Sequence, residues 1–262
     1  PDNIKVIPLS DLFYNILTSG DYEKLNKIGV QEIVANQMGI SRSELTSNPK
    51  FLHKPIEEAF EYAIVKYARR IISEGQAAGK TRAQIYQGLK EVYLNQPNLA
   101  TRTSSSKELQ AFSTPIHLAY LAQEFAGVTQ DSTVYEPTAG TGMLLTKAKP
   151  ENVLANELDD TRTSILYDQG FETTSRDGRN VIGGTEQEKT KDAVLANPPF
   201  NSITTKKIDG YSISKLEHEI MMDALRAMKD DGKGAFIIGG HNFEAENGEA
   251  MIGNQKIFLN WL

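Results

Sequence analysis

The sequence predicts an α/β protein: a mostly parallel sheet with helices on both faces, preceded by an α-helical N-terminal region. Three observations carry this. Short strand-like stretches recur at residues 132–137, 152–157, 171–176, 192–196 and 235–239, most of them apolar and each short enough for a strand of a sheet. Helical patterns follow the first strand and precede the last, as crossovers between parallel strands require. Residues 1–100, in contrast, show only helical periodicity.

The helical region reads as follows. Leu9 to Leu17 is apolar at helical spacing, with Ser10 or Asp11 as cap, and Lys24 to Met38 runs up to Gly39 as a stop. Pro55 opens a longer helix in which Ile56, Phe60, Ala63, Tyr67 and Ile71 share a face. Thr81 caps another with Ile85, Leu89 and Val92 inside, and Pro97 ends it. Polar small residues, Thr101 to Ser106, mark the boundary between a helical domain, 1–100, and a second domain, 101–262. Lys66, Arg69, Arg70, Lys80 and Arg82 are candidate phosphate contacts or a solvated helix face.

The second domain opens with Phe112-Ser113-Thr114-Pro115, a helix start with Thr114 as N-cap and Pro115 at the first helical position. Leu118, Leu121, Ala122 and Phe125 give that helix its apolar stripe. The first strand ends at Glu136-Pro137, and Thr138-Ala139-Gly140-Thr141-Gly142 leads into an apolar helical stretch from Met143. Glycines let a ligand approach the backbone, and a helix N-terminus offers free N–H groups. Position 145 is Leu, so the full G-x-G-x-x-G fingerprint is absent and the turn suits a ligand without a pyrophosphate, such as S-adenosylmethionine.

Glu157 ends the second strand, 21 positions after Glu136, close to the ~20-residue spacing of acids that bind ribose hydroxyls in doubly wound sheets. Asp177 closes the third strand, placed to accept from the exocyclic amine of an adenine. The fourth strand ends in Asn197-Pro198-Pro199-Phe200. Two prolines donate nothing to a ladder, so the chain stiffens there, with an amide before it and a ring after it. That pairing suits a planar substrate carrying an amino group. Residues 201–210 read as a polar loop, with Lys206 and Lys207 close to the motif, followed by a helix from Leu216 to Met228, the fifth strand, and a helix from Asn254.

In order, Phe-Ser-Thr-Pro, Glu-Pro-Thr-Ala-Gly-Thr-Gly, Asn-Glu-Leu-Asp, Arg-Asp-Gly and Asn-Pro-Pro-Phe, this series resembles the gamma-class N6-adenine DNA methyltransferases, above all modification subunits of type I restriction systems and related phage or mobile-element methylases. The resemblance covers roughly residues 105–262. It implies a Rossmann-like S-adenosylmethionine-dependent methyltransferase sheet. Phe112, Ser113, Thr114, Glu136, Pro137, Thr138, Gly140, Gly142, Glu157, Asp177 and Asn197 would hold the cofactor, and Asn197, Pro198, Pro199 and Phe200 the target adenine, flipped from the duplex. It implies DNA as partner, with further domains or a specificity subunit, and a sheet edge and base-sequence readout beyond this stretch. Two other readings stand: a methyltransferase acting on guanine N2 of RNA or on a protein glutamine amide, and an inactive cofactor-binding module of a larger DNA-processing protein.

Composition sets bounds. With 262 residues and 39% hydrophobic content a sizeable core forms. The absence of cysteine excludes disulfides, thiolate metal sites and a cysteine nucleophile; no signal-peptide pattern and no apolar run long enough to span a bilayer is seen, and a cytoplasmic protein without a metal is expected. Net charge is −6: residues 1–110 hold 14 basic against 12 acidic side chains (+2), residues 111–262 hold 14 against 22 (−8). The second half thus lacks the electrostatic footprint of a tight duplex binder.

Overall fold

The computed structural model describes residues 4–47, 54–96, 113–238 and 253–262. Its centre is a five-stranded, wholly parallel sheet, built from β1 (Val134–Glu136), β2 (Val153–Asn156), β3 (Glu172–Thr174), β4 (Lys191–Ala196) and a later strand, β7 (Met228–Phe236), in the order β3-β2-β1-β4-β7. Strand order reverses between β1 and β4, so the expected Rossmann-like α/β architecture is present, and sheets of this kind take their ligands at the carboxyl ends of the strands flanking such a reversal. Side-chain alternation splits the sheet into two faces. Val134, Val153, Ala155, Ala193 and Leu195 join one large core, while Tyr135, Leu154 and Val194 join a second with Ala224 and Ala227.

The first face is covered by the N-terminal helices α1 (Val6–Ser19), α2 (Lys27–Met38), α3 (Arg42–Ser47), α4 (Lys54–Ala77) and α5 (Arg82–Asn95), with α6 (Ile116–Phe125) and α7 (Asp160–Asp168). Leu9, Phe13, Phe60, Ala63, Ile85 and Leu89 belong to the same apolar cluster as the sheet residues. The helical region therefore shares a core with the sheet. Polar ties reinforce this: Tyr62 donates to Asp168, and the Arg69 guanidinium donates to the carbonyls of Leu145 (2.9 Å) and Ala148 (3.1 Å). The second face is covered by α8 (Leu216–Leu225).

Several local expectations hold. Thr81 forms a full capping box with Gln84, and Gly39 ends α2 at φ 67. Others change. α1 starts at Val6, so Ser10 lies inside it, bonded to the Ile7 carbonyl, rather than capping it. Residues 22–25 form a short 3-10 turn, and Asn26 caps α2. The stretch from Met143 is a single 3-10 turn, Met143–Leu145; Arg69 takes its carbonyls and Pro150 follows, so no helix extends. The helix expected to Met228 ends at Leu225, and β7 begins at Met228, its register slipping opposite Lys191–Ala193.

The expected stripe of α6 is turned. Ile116, Ala119, Tyr120, Ala122 and Gln123 are buried, while Leu118 and Phe125 are 40% and 73% exposed. Residues 201–210 are not a loop but most of an antiparallel hairpin, β5 (Ser202–Ile208) and β6 (Tyr211–Lys215). Asp209 and Gly210 both have positive φ, 49° and 87°, as a two-residue turn matched to strand twist requires. The hairpin packs through Ile213 against Met221, Met222 and Phe258 of the last helix, α9 (Asn254–Trp261). Among the described residues no helix is long and apolar enough to cross a membrane. Pro97, the 101–106 boundary and Phe112 lie outside the described residues.

Candidate active site at the strand ends

The crevice is assembled from the turns that follow β1 to β4. Register pairs Tyr135 with Val194, so Glu136 and Asn197 lie at the same end of neighbouring strands. Glycine serves a clear purpose in the first turn. Gly140 (φ 56) and Gly142 (φ 86) adopt the left-handed conformation that side chains disfavour. A Cβ on Gly140 would meet nothing within 4 Å, whereas one on Gly142 would press on Gln169 and Phe171 at 3.1 Å. Gly140 therefore opens on free space and Gly142 permits tight packing beneath.

Glu136 is 2% exposed, and its Oε2 is buried without a hydrogen-bond partner, as are Thr138 Oγ1 and Thr141 Oγ1. Burial, and secondarily the nearby Glu157 carboxylate, pushes the Glu136 carboxyl well above its ordinary range. Unmet buried polar groups at a strand end are costly and point to a ligand. Glu157 accepts from Gly140 N–H (2.8 Å) and Asp159 N–H (2.9 Å), which fixes the turn and leaves carboxylate lone pairs for hydroxyls. Asp177 is exposed and bound by Arg179 through both oxygens, which holds it below the usual carboxylate range. Its turn lies against the first: a Cβ on Gly178 would approach the Pro137 carbonyl to 3.1 Å.

Sequence reasoning did not single out Asn156, yet it organises these turns. It is 1% exposed and uses its whole amide. Nδ2 donates to the carbonyls of Pro137 (2.9 Å) and Arg176 (2.8 Å); Oδ1 accepts from Thr174 Oγ1 (2.8 Å) and Arg176 N–H (3.0 Å). The turns after β1 and β3 are thereby tied through the last residue of β2. The signal was a lone amide at the end of an apolar run, just before Glu157.

Thr114 does not cap α6; helical structure starts at Ile116, with Pro115 at the cap position. The Thr114 hydroxyl is buried and instead accepts from Asn197 Nδ2 at 3.0 Å. This bond joins Phe-Ser-Thr-Pro to Asn-Pro-Pro-Phe across 83 residues. Ser113 is exposed beside it. Pro198 is buried, and Asn197, Pro199 and Phe200 are half-buried. The far end of the motif is held by α8, another feature not foreseen: Leu216 N–H donates to the Asn201 carbonyl (2.9 Å), and Asn201 N–H donates to the buried Glu217 carboxylate (3.2 Å).

Of the candidate phosphate contacts, Arg69 is half-buried and donates to carbonyls just after the glycine turn, Lys66 pairs with Asp11, Arg70 with Glu74 and Arg82 with Glu124. Arg69 is thus a structural side chain. Among the described residues no cluster of three or more His, Asp or Glu is placed to hold a metal ion.

No family model and no curated protein matches the chain. Several solved structures are similar to it in part, among them chains named as methyltransferases. A putative RNA methyltransferase from Pyrococcus horikoshii shares 19% identity over 56% of this chain and 69% of its own, at a TM-score of 0.37. TrmN from Thermus thermophilus shares 19% over 47% and 37%, at 0.32. A putative class I S-adenosylmethionine-dependent methyltransferase from Listeria monocytogenes shares 13% over 89% and 74%, at 0.39. Likenesses of this size carry no functional argument, which rests on the crevice itself.

Proposed function

We propose that this chain transfers a methyl group from S-adenosylmethionine to an amino group on a nucleobase, the N6 of adenine in DNA. The observation that supports it most is the Thr114–Asn197 hydrogen bond, which sets the amide at the end of β4 beside the cradle at the end of β1.

The residues of the cradle fit this cofactor. Glu136, Thr138 and Thr141 offer buried, unpaired oxygens for an ammonium and its neighbours, Glu157 accepts from ribose hydroxyls, and Asp177 from the adenine amine. When bound, the cofactor supplies an electrophilic methyl on a sulfonium. Everything else falls to the chain. Asn197 Oδ1 and the Pro198 carbonyl accept the two N6 hydrogens and draw the nitrogen toward tetrahedral geometry, freeing a lone pair otherwise spread into the ring. Phe200 stacks on the base. With the cofactor bound, transfer would form the nitrogen–carbon bond as the carbon–sulfur bond broke, and the surplus proton would pass to water. A strong general base is unnecessary, because the amine becomes acidic as its new bond forms. Positioning supplies most of the rate, and the two prolines with the ties at Thr114 and Glu217 provide it. Inside a duplex the amine is unreachable, so the base is flipped out.

The test is transfer of labelled methyl to DNA, RNA and protein in parallel, with Asn197→Ala as control. Label on adenine N6 of DNA, lost in Asn197→Ala while calorimetric cofactor affinity stays within a few fold, supports the reading. Label on RNA or protein alone, or an active Asn197→Ala, contradicts it.

A further inference from the structure

We propose that the cleft between the β5–β6 hairpin, the 177–184 turn and α8 is a second nucleotide subsite, holding the residue next to the target base in the substrate strand. The proposal rests on the reading above and deepens it. The cleft measures about 500 Å3, ample for a mononucleotide, and Arg179, Lys206, Ile208, Glu219, Met222 and Arg226 line it.

Three cations from three elements converge there. Each is oriented by a carboxylate: Arg179 by Asp177, Lys206 by Glu219, and Arg226 by Asp209, at 2.7 Å from Nη2. A guanidinium has five donors and an ammonium three, so these pairs leave donors for a phosphate. Glu219 supplies the second half of the recognition. It is 4% exposed; Oε1 takes Lys206, while Oε2 is buried without a hydrogen-bond partner. An acceptor left so calls for a donor. A simple anion offers at most an acidic hydroxyl next to its own charge, whereas a nucleotide brings an exocyclic amine or a ribose hydroxyl at a distance from its phosphate. Ile208 and Met222 provide apolar surface for a ring. Asp223 also borders the cleft, but its carboxylate is taken by the N–H groups of Val181, Ile182 and Gly183 and so shapes the wall.

Placement agrees. One wall, with Lys206 and Ile208, belongs to the strand that starts at Ser202, two positions after Phe200, and the other begins at Arg179, two positions after Asp177. We therefore seat the strand neighbour of a base resting on Phe200 in this cleft, along the chain segment that leaves the motif. The hairpin, residues 202–215, carries Lys206, Lys207 and Lys215 against Asp209, a net +2 inside a half of −8. Strand contact is therefore concentrated at the motif rather than spread over the surface.

The experiment measures binding of a labelled, adenine-containing single-stranded oligonucleotide by fluorescence anisotropy across a salt series. Removing two phosphate contacts in Lys206→Ala/Arg226→Ala is expected to weaken binding at least tenfold and to flatten the plot of log K against log salt by about 1.4, at about 0.7 per contact for single strands. The charge-keeping variant Lys206→Arg/Arg226→Lys retains the slope, which separates lost contacts from a damaged hairpin. Glu219→Gln weakens binding without changing the slope. An unchanged slope in the alanine variant overturns the subsite, as does inorganic phosphate competing as well as adenosine monophosphate. Failure of the intact chain to methylate the bound strand overturns the functional reading instead.

Discussion

Asn156→Ala tests the architecture of the crevice. The substitution removes a side chain that makes four hydrogen bonds, at 2.8–3.0 Å, between the turns after β1 and β3. Each is worth about 1 kcal/mol net, and buried partners left behind add desolvation cost. Because the four act as one unit they do not sum fully, and about 3 kcal/mol is the expected loss. For a chain of this size that lowers Tm by roughly 6–12 °C. Asn156→Asp is worse, since it turns a carboxylate oxygen toward the carbonyls of Pro137 and Arg176. Differential scanning calorimetry reads the loss, and calorimetric titration of S-adenosylmethionine on the folded variant reads the loosened cradle, with affinity falling tenfold or more. A Tm within about 2 °C of wild type, with intact affinity, refutes the reasoning.

Three more outcomes are expected. Thr114→Val removes the acceptor that orients Asn197, at about 1.5 kcal/mol or roughly a tenfold drop in kcat with cofactor affinity unchanged; unaltered single-turnover rates contradict this. Glu136 holds its proton well above the ordinary carboxylate range, so a cationic ligand group must expel it. Cofactor affinity then rises with pH through that titration, titrations in two buffers of different ionisation enthalpy reveal proton release, and Glu136→Gln abolishes it. Burial, outweighing Arg162 and Lys54, raises Glu58 from 4.5 to about 7. Its neutral form then stabilises the fold fully below about pH 4.5, and up to about 3 kcal/mol is lost as pH rises to 7; Glu58→Gln flattens that part of the stability profile.

The crevice was legible where sequence and backbone chemistry coincide. Apolar runs ending in Glu136, Glu157 and Asn197 became β1, β2 and β4, because a strand buried on both faces needs an unbroken run. The hairpin was missed because polar composition outweighed Asp209-Gly210, a stronger signal. α7 carries almost no apolar periodicity and went unread; Asp159 caps it, and only Ile165 and Leu166 are buried. The turned stripe of α6 and the short turn after Gly142 depend on distant partners, the α5 contact and Arg69, which no local pattern reveals. Thr114 does not act as the expected cap: its hydroxyl is engaged by Asn197 instead of by the helix.

The most direct measurement is a crystal structure of the chain with S-adenosylhomocysteine. The account predicts the ribose on Glu157, the adenine beside Asp177, and the sulfur above Gly140 with its open side toward Asn197. A ligand seated elsewhere, or a sulfur turned away from that amide, contradicts it.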